Sequence, residues 1–207
     1  MKSTLSNQLL WCRYAGKKFP QETPHVCIVD TNVFLGALPN HSNLKADQNL
    51  CTKKCLEIVE LITSGHIKKI VVDINNDSGR SEILNEYFRN LGRFNEQGIA
   101  GKILQFLEDN NKIEYRTLAS HSDHNYDEFP QDERLSKFDS SDKKFVAVSL
   151  ADTPHYPIIQ SMDGKWWRWA TSLKDHDVLI LFTNPDYAKK MCQKKNRCDS
   201  DCSKCPS

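Results

Sequence analysis

Acids recur in this chain where apolar runs end. Val26, Cys27, Ile28 and Val29 lead into Asp30, which Thr31 and Asn32 follow. Glu82 and Glu86 stand four apart in SEILNEYFRNL, so a helix there carries both carboxylates on one face. Asp139 and Asp142 precede the apolar stretch around Phe145, Val146 and Val148, and Asp163 closely follows Ile158 and Ile159. Carboxylates brought together repel one another unless cations sit between them. All-oxygen ligand sets suit Mg²⁺ or Mn²⁺. Such ions activate water and stabilise the charge that builds on a phosphate. The chemistry in view is therefore metal-dependent phosphodiester hydrolysis. Each acid also has a plainer reading. Asp30 and Asp139 fit helix N-caps, Asp142 suits the first turn of a helix, Glu82 and Glu86 suit a solvated helix face, and Asp163 suits a turn.

The elements that must position these acids alternate along the chain. Apolar runs predict strands over 25–30, 67–74, 113–118, 157–159 and 178–182. Helical spacing predicts helices over 31–38, 45–64, 81–94, 97–110 and from Ser140 onward, with Gly65 as a helix stop. The pattern β-α-α-β-α-α-β-α-β-α-β implies an α/β fold: a three-layer α-β-α arrangement with a parallel sheet of four or five strands. All strand C-terminal ends then share one edge, where ligands bind in open sheets. Cys51 and Cys55 lie on an apolar stripe with Ile58 and Ile62 and read as core. The stretch 121–138 is polar and acidic and reads as a solvated irregular loop.

Composition sets the bounds. The chain has 207 residues, 39% hydrophobic and 27% charged, enough for one domain with a core. Its net charge of +1 gives no global field for nucleic acid. That total conceals basic ends and an acidic middle. No run approaches a membrane span, and the start lacks the apolar core of a secretory signal, so the expectation is a cytoplasmic protein. Three segments are expected: a helical extension over 1–23, the α/β domain over 24–190, and a Cys-rich basic tail over 191–207. Cys192, Cys198, Cys202 and Cys205 in that tail could form a Cys₄ zinc site. An iron–sulfur site, disulfides or a reduced tail are the alternatives. Arg80, Arg89, Lys143 and Lys165 fall near the predicted edge and could meet phosphates, and Arg168 lies among Trp166, Trp167 and Trp169, where bases could stack or the rings could pack.

Taken in order, VCIVDTN, EILNEYFRNL, DSSDKKFVAVSLA and IIQSMDGKWW resemble the four acidic motifs of PIN-domain nucleases, and VLILFTNPDYAKK is similar to that family's last strand and turn. The resemblance covers about residues 24–190. It implies a metal-dependent endoribonuclease in which Asp30, Glu86, Asp142 and Asp163 hold Mg²⁺ or Mn²⁺, with Thr31, Asn32, Glu82 and Asp139 in support. It implies nucleic acid as partner, RNA before DNA, and leaves room for a protein partner or inhibitor and for a homo-oligomer. A PIN-like scaffold that binds RNA or protein without cutting, or a DNA nuclease, is the alternative. Gly164 departs from the family pattern by separating Asp163 from Lys165.

Overall fold

The computed structural model describes residues 24–38, 46–76, 78–91, 99–121, 124–161 and 163–194. Among these, strands β1 (Val26–Val29), β2 (Lys69–Asn75), β3 (Ile113–Leu118), β6 (Ile158–Gln160) and β7 (Ile180–Phe182) form one sheet in the order β3-β2-β1-β6-β7. Every neighbouring pair in it is parallel. Helices α1 (Thr31–Gly36) and α2 (Ala46–Thr63) link β1 to β2, and α3 (Glu82–Leu91) and α4 (Ile99–Asp109) link β2 to β3. Helix α5 (Lys143–Leu150) precedes β6, α6 (Lys165–Asp175) joins β6 to β7, and α7 (Pro185–Lys194) follows. The sheet is flanked by helices, a three-layer α-β-α arrangement. Strands covered on both faces must be apolar throughout. Accordingly Cys27, Ile28, Val29, Val71, Val72, Ile158 and Ile159 are all fully buried. The edge strand β3 is the exception, with Tyr115 half exposed. No described helix is long and apolar enough to cross a membrane.

Three local devices fix the edge above β1 and β2. Buried Asp73 in β2 accepts hydrogen bonds from Ser81 Oγ (2.8 Å), Glu82 N (2.7 Å) and Ile83 N (2.8 Å), so it ties the start of α3 to its own strand. Tyr87 in α3 donates its hydroxyl proton to the Val29 carbonyl. Its ring meets Phe34 edge-on at 5.2 Å. Buried Arg116 in β3 donates to the carbonyls of Asp152 and Pro154, both at 2.9 Å, and lies 4.3 Å from the Tyr156 ring. It pins the connection between α5 and β6 without any carboxylate partner in those bonds.

Several sequence expectations need correction. The helix expected from Ser140 begins as a 3₁₀ turn over Ser140–Asp142, and α5 proper starts at Lys143. The stretch 121–138 is not a solvated loop. A small hairpin of β4 (Ser120–His121) and β5 (Asn125–Tyr126) opens it, and Tyr126, Phe129, Leu135 and Phe138 are buried. Phe138 packs 5.3 Å from Trp166, so the insertion closes over α6. Trp166 and Trp167 are themselves core residues. The boundary expected at 190/191 falls inside α7, whose residue Cys192 is fully buried and disulfide-bonded. The segment 1–23 and Cys198, Cys202 and Cys205 lie outside the described residues.

Gly164, which separates Asp163 from Lys165, sits where a side chain would not fit. A Cβ there would stand 2.7 Å from the Cys192 backbone nitrogen and 3.0 Å from the Ala188 carbonyl oxygen. Only glycine lets α7 lie this close to the start of α6. Gly164→Ala is expected to cost roughly 1–3 kcal/mol through overpacking against backbone. Urea denaturation measures this, and an unchanged midpoint would contradict the tight contact.

Candidate acidic site

The sheet order reverses between β1 and β6, which are neighbours although far apart in sequence. In open α/β sheets the crevice beyond such a switch point is where ligands bind. Asp30 follows β1 there, its backbone N–H donating to the Ile159 carbonyl of β6 at 2.9 Å. Asp163 follows β6. The Asp30 carboxylate also caps α1, accepting from Asn32 N at 2.8 Å. The capping reading of Asp30 is thus seen directly.

The other acids reach the same crevice from the helices. Thr31 Oγ1 donates to Glu86 Oε1 at 2.5 Å, joining the first turn of α1 to the second turn of α3. Lys144 Nζ pairs with Glu86 Oε2 at 2.6 Å, and its side chain is almost wholly buried. Asp139 caps the 3₁₀ turn through Ser141 N (3.1 Å) and Ser141 Oγ (2.8 Å), as its plainer reading expects. Asp142 closes that turn. Lys165 Nζ then lies 2.6 Å from Asp139, 3.2 Å from Asp163 and 3.5 Å from Asp142. One ammonium thus spans three carboxylates.

The charges are unevenly balanced. Burial pushes the Asp30 carboxyl up to about 7, with further pushes from Asp142 and Glu86 that outlast the capping bonds. Burial likewise raises Asp142 to about 6, against the pull of Lys165. Asp139 is held down at about 2, chiefly by its bond from Lys165. Among the described residues no three acids, histidines or cysteines form a ready-made metal cluster. Lys144 and Lys165 instead supply positive charge to the acids. The donor set remains all carboxylate, which fits a hard divalent cation. The mutual repulsion of Asp30 and Asp142 is the feature such an ion would relieve.

The remaining expected residues are placed differently. Glu82 faces the insertion, accepting from Tyr126 OH at 2.7 Å and lying 3.1 Å from His124 Nδ1. It tethers the hairpin and makes none of the contacts that link the other acids. Arg80 and Arg89 are exposed, with Arg89 Nε donating to its own helix at Asn85 O. Lys143 sits over the Phe129 ring at 5.1 Å, and Arg168 over the Trp169 ring at 4.5 Å. Sequence reasoning missed Lys144, Asp73 and Tyr87. Lys144 had a signal, because it directly precedes the buried run Phe145–Ser149, and a lysine placed there needs a partner acid. Behind the crevice Cys55 Sγ meets Ser161 Oγ at 2.8 Å, and burial pushes the Cys55 thiol up to about 11, as suits an inert core residue.

Comparison with family models, curated proteins and solved structures finds no match for this chain. The site therefore has to be read from its own geometry.

The raised acids set a sign for stability. Between pH 4 and 7 the folded chain holds protons on Asp30 and Asp142 that the unfolded chain releases, so stability falls as pH rises through this window. Asp30→Asn keeps a capping oxygen and removes the charge. In EDTA it is expected to stabilise the protein by roughly 1–3 kcal/mol at pH 7.5 and by little at pH 4. Urea unfolding at both pH values measures this, and equal destabilisation at both would contradict it.

Proposed function

We propose that this chain is a metal-dependent endoribonuclease of the PIN-like kind, acting in the cytoplasm. One observation carries the reading. Asp30, Glu86, Asp142 and Asp163, separated by up to 133 positions (163 − 30), converge on the crevice at the switch point of the sheet. Structural acids have no need to gather there, and burial, helped by repulsion from neighbouring acids, raises the carboxyls of two of them. Asp30, Asp142 and Asp163, with Glu86 beside them, would hold Mg²⁺ or Mn²⁺. Bound there, the ion would supply Lewis-acid stabilisation of the charge on a phosphate oxygen. The chain's own groups do the rest. Asn32 N orients Asp30, and Thr31 and Lys144 fix the two oxygens of Glu86. Lys165 brings a positive charge to the crevice mouth, where a phosphate would enter. The motifs do not separate RNA from DNA as the substrate.

A second reading has its own support. Lys165 already spans three of the acids and Lys144 pairs with a fourth, as in a scaffold that binds without cutting.

The test separates the two. Incubated with single-stranded RNA, tRNA and DNA in Mn²⁺, the wild-type chain is expected to cut RNA, and EDTA to stop it. Asp30→Asn and Asp142→Asn should each slow cleavage at least about a hundredfold, the scale of several kcal/mol of lost charge stabilisation. Cleavage by both variants at the wild-type rate would refute the assignment, and a wild type that binds RNA without cutting it would favour the scaffold.

A further inference from the structure

A second cavity opens beside the acidic crevice. Lys137, Asp139, Lys165, Arg168 and Trp169 line it, and its volume is about 220 Å³. It shares Asp139 and Lys165 with the acid cluster, so the two sites have a common wall. We propose that this cavity is a nucleotide subsite, in which a flipped-out base of single-stranded nucleic acid stacks on the Arg168–Trp169 pair while Lys137 meets a flanking phosphate. The proposal rests on the nuclease reading of the neighbouring acids and deepens it by naming the substrate's state.

Three observations carry it. First, the lining is cationic on balance: Lys137, Lys165 and Arg168 stand against Asp139, and Asp139 is already paired with Lys165. A pocket of this charge beside an acid-rich crevice would hold the anionic backbone that the acids alone would repel. Second, the guanidinium of Arg168 lies 4.5 Å from the Trp169 ring centre, and Trp169 is braced by Phe138 at 6.2 Å. A supported arginine–aromatic pair is a stacking platform for any base. Trp166 and Trp167 are buried, which leaves Trp169 as the tryptophan of this cluster that lines the cavity. Third, the volume lies below the roughly 300 Å³ at which pockets begin to take drug-sized ligands, so it suits one ring system. A base can enter such a site only when it is unstacked from its neighbours, which excludes a regular duplex.

Binding in EDTA, where cutting is suppressed, tests the subsite separately from catalysis. The full chain is titrated into fluorescein-labelled eight-nucleotide oligo(U), oligo(dT) and a blunt duplex of equal length, followed by anisotropy. Both single strands are expected to bind, the tighter of the two naming the natural polymer, with the duplex at least tenfold weaker. Trp169→Leu should weaken single-strand binding about tenfold by removing the stacking face. Arg168→Lys keeps the charge and loses the planar group, and is expected to weaken binding severalfold; it also guards against a fold defect in the tryptophan variant. Lys137→Ala should lower the slope of log affinity against log salt by about 0.7. Wild-type affinity in both Trp169→Leu and Arg168→Lys, or duplex binding equal to single-strand binding, overturns the subsite. If those variants bind normally while Asp30→Asn loses cleavage, the subsite is wrong and the nuclease reading stands. If they bind weakly while the wild-type chain does not cut RNA or DNA in Mn²⁺, the subsite stands and the nuclease reading fails.

Discussion

Repulsion between buried carboxylates at the junction of β1 and β6 is the constraint on which this molecule turns. Asp30 is almost inaccessible to solvent, yet it feels Asp142 and Glu86. Burying one unpaired charge is expensive, and burying several together is more so. Two lysines make the arrangement tolerable. Lys144 is buried against Glu86, and Lys165 reaches Asp139, Asp142 and Asp163. Neither lies near enough to Asp30 to form an ion pair with it among the described contacts. The group with the least compensation is thus the one at the deepest point of the crevice.

The surrounding fold spends much of its polar bonding on holding that crevice in shape. Asp73 fixes the start of α3, Tyr87 ties the same helix to the end of β1, and Thr31 links α1 to Glu86. On the other flank Arg116 pins the approach to β6, and the glycine contact seats α7 against the start of α6. These bonds come from different elements and meet around the acids. A site of converging like charges requires such bracing, because the charges themselves push the elements apart. Preorganisation of this kind is what the proposed chemistry would require.

The sheet was legible in the sequence because four of its five strands hold a short continuous apolar run closed by a polar residue, the edge strand β3 (IEYRTL) being the exception. Asp30 stood out as a strand-end acid for the same reason. What escaped was set by tertiary contact. Glu82 and Glu86 look equivalent on one helix, and only the docking of Tyr126 and His124 separates them. The insertion over 121–138 hides its core side chains because Tyr126, Phe129, Leu135 and Phe138 follow neither a two-residue nor a 3.6-residue period. The reach of α7 past residue 190 was hidden because Lys189, Lys190, Lys194 and Lys195 mask the buried pair Ala188 and Cys192, which are one helical turn apart.

On the proposed reading these acids form a site for a divalent cation. Electron paramagnetic resonance of Mn²⁺ titrated into the full chain at pH 7.5 addresses it most directly, beside Asp142→Asn under the same conditions. Saturable binding to the wild type, weakened at least tenfold in the variant, is the expected result. No saturable binding, or equal affinity in both proteins, would mean that Lys144 and Lys165 are the only cations this crevice was built to hold.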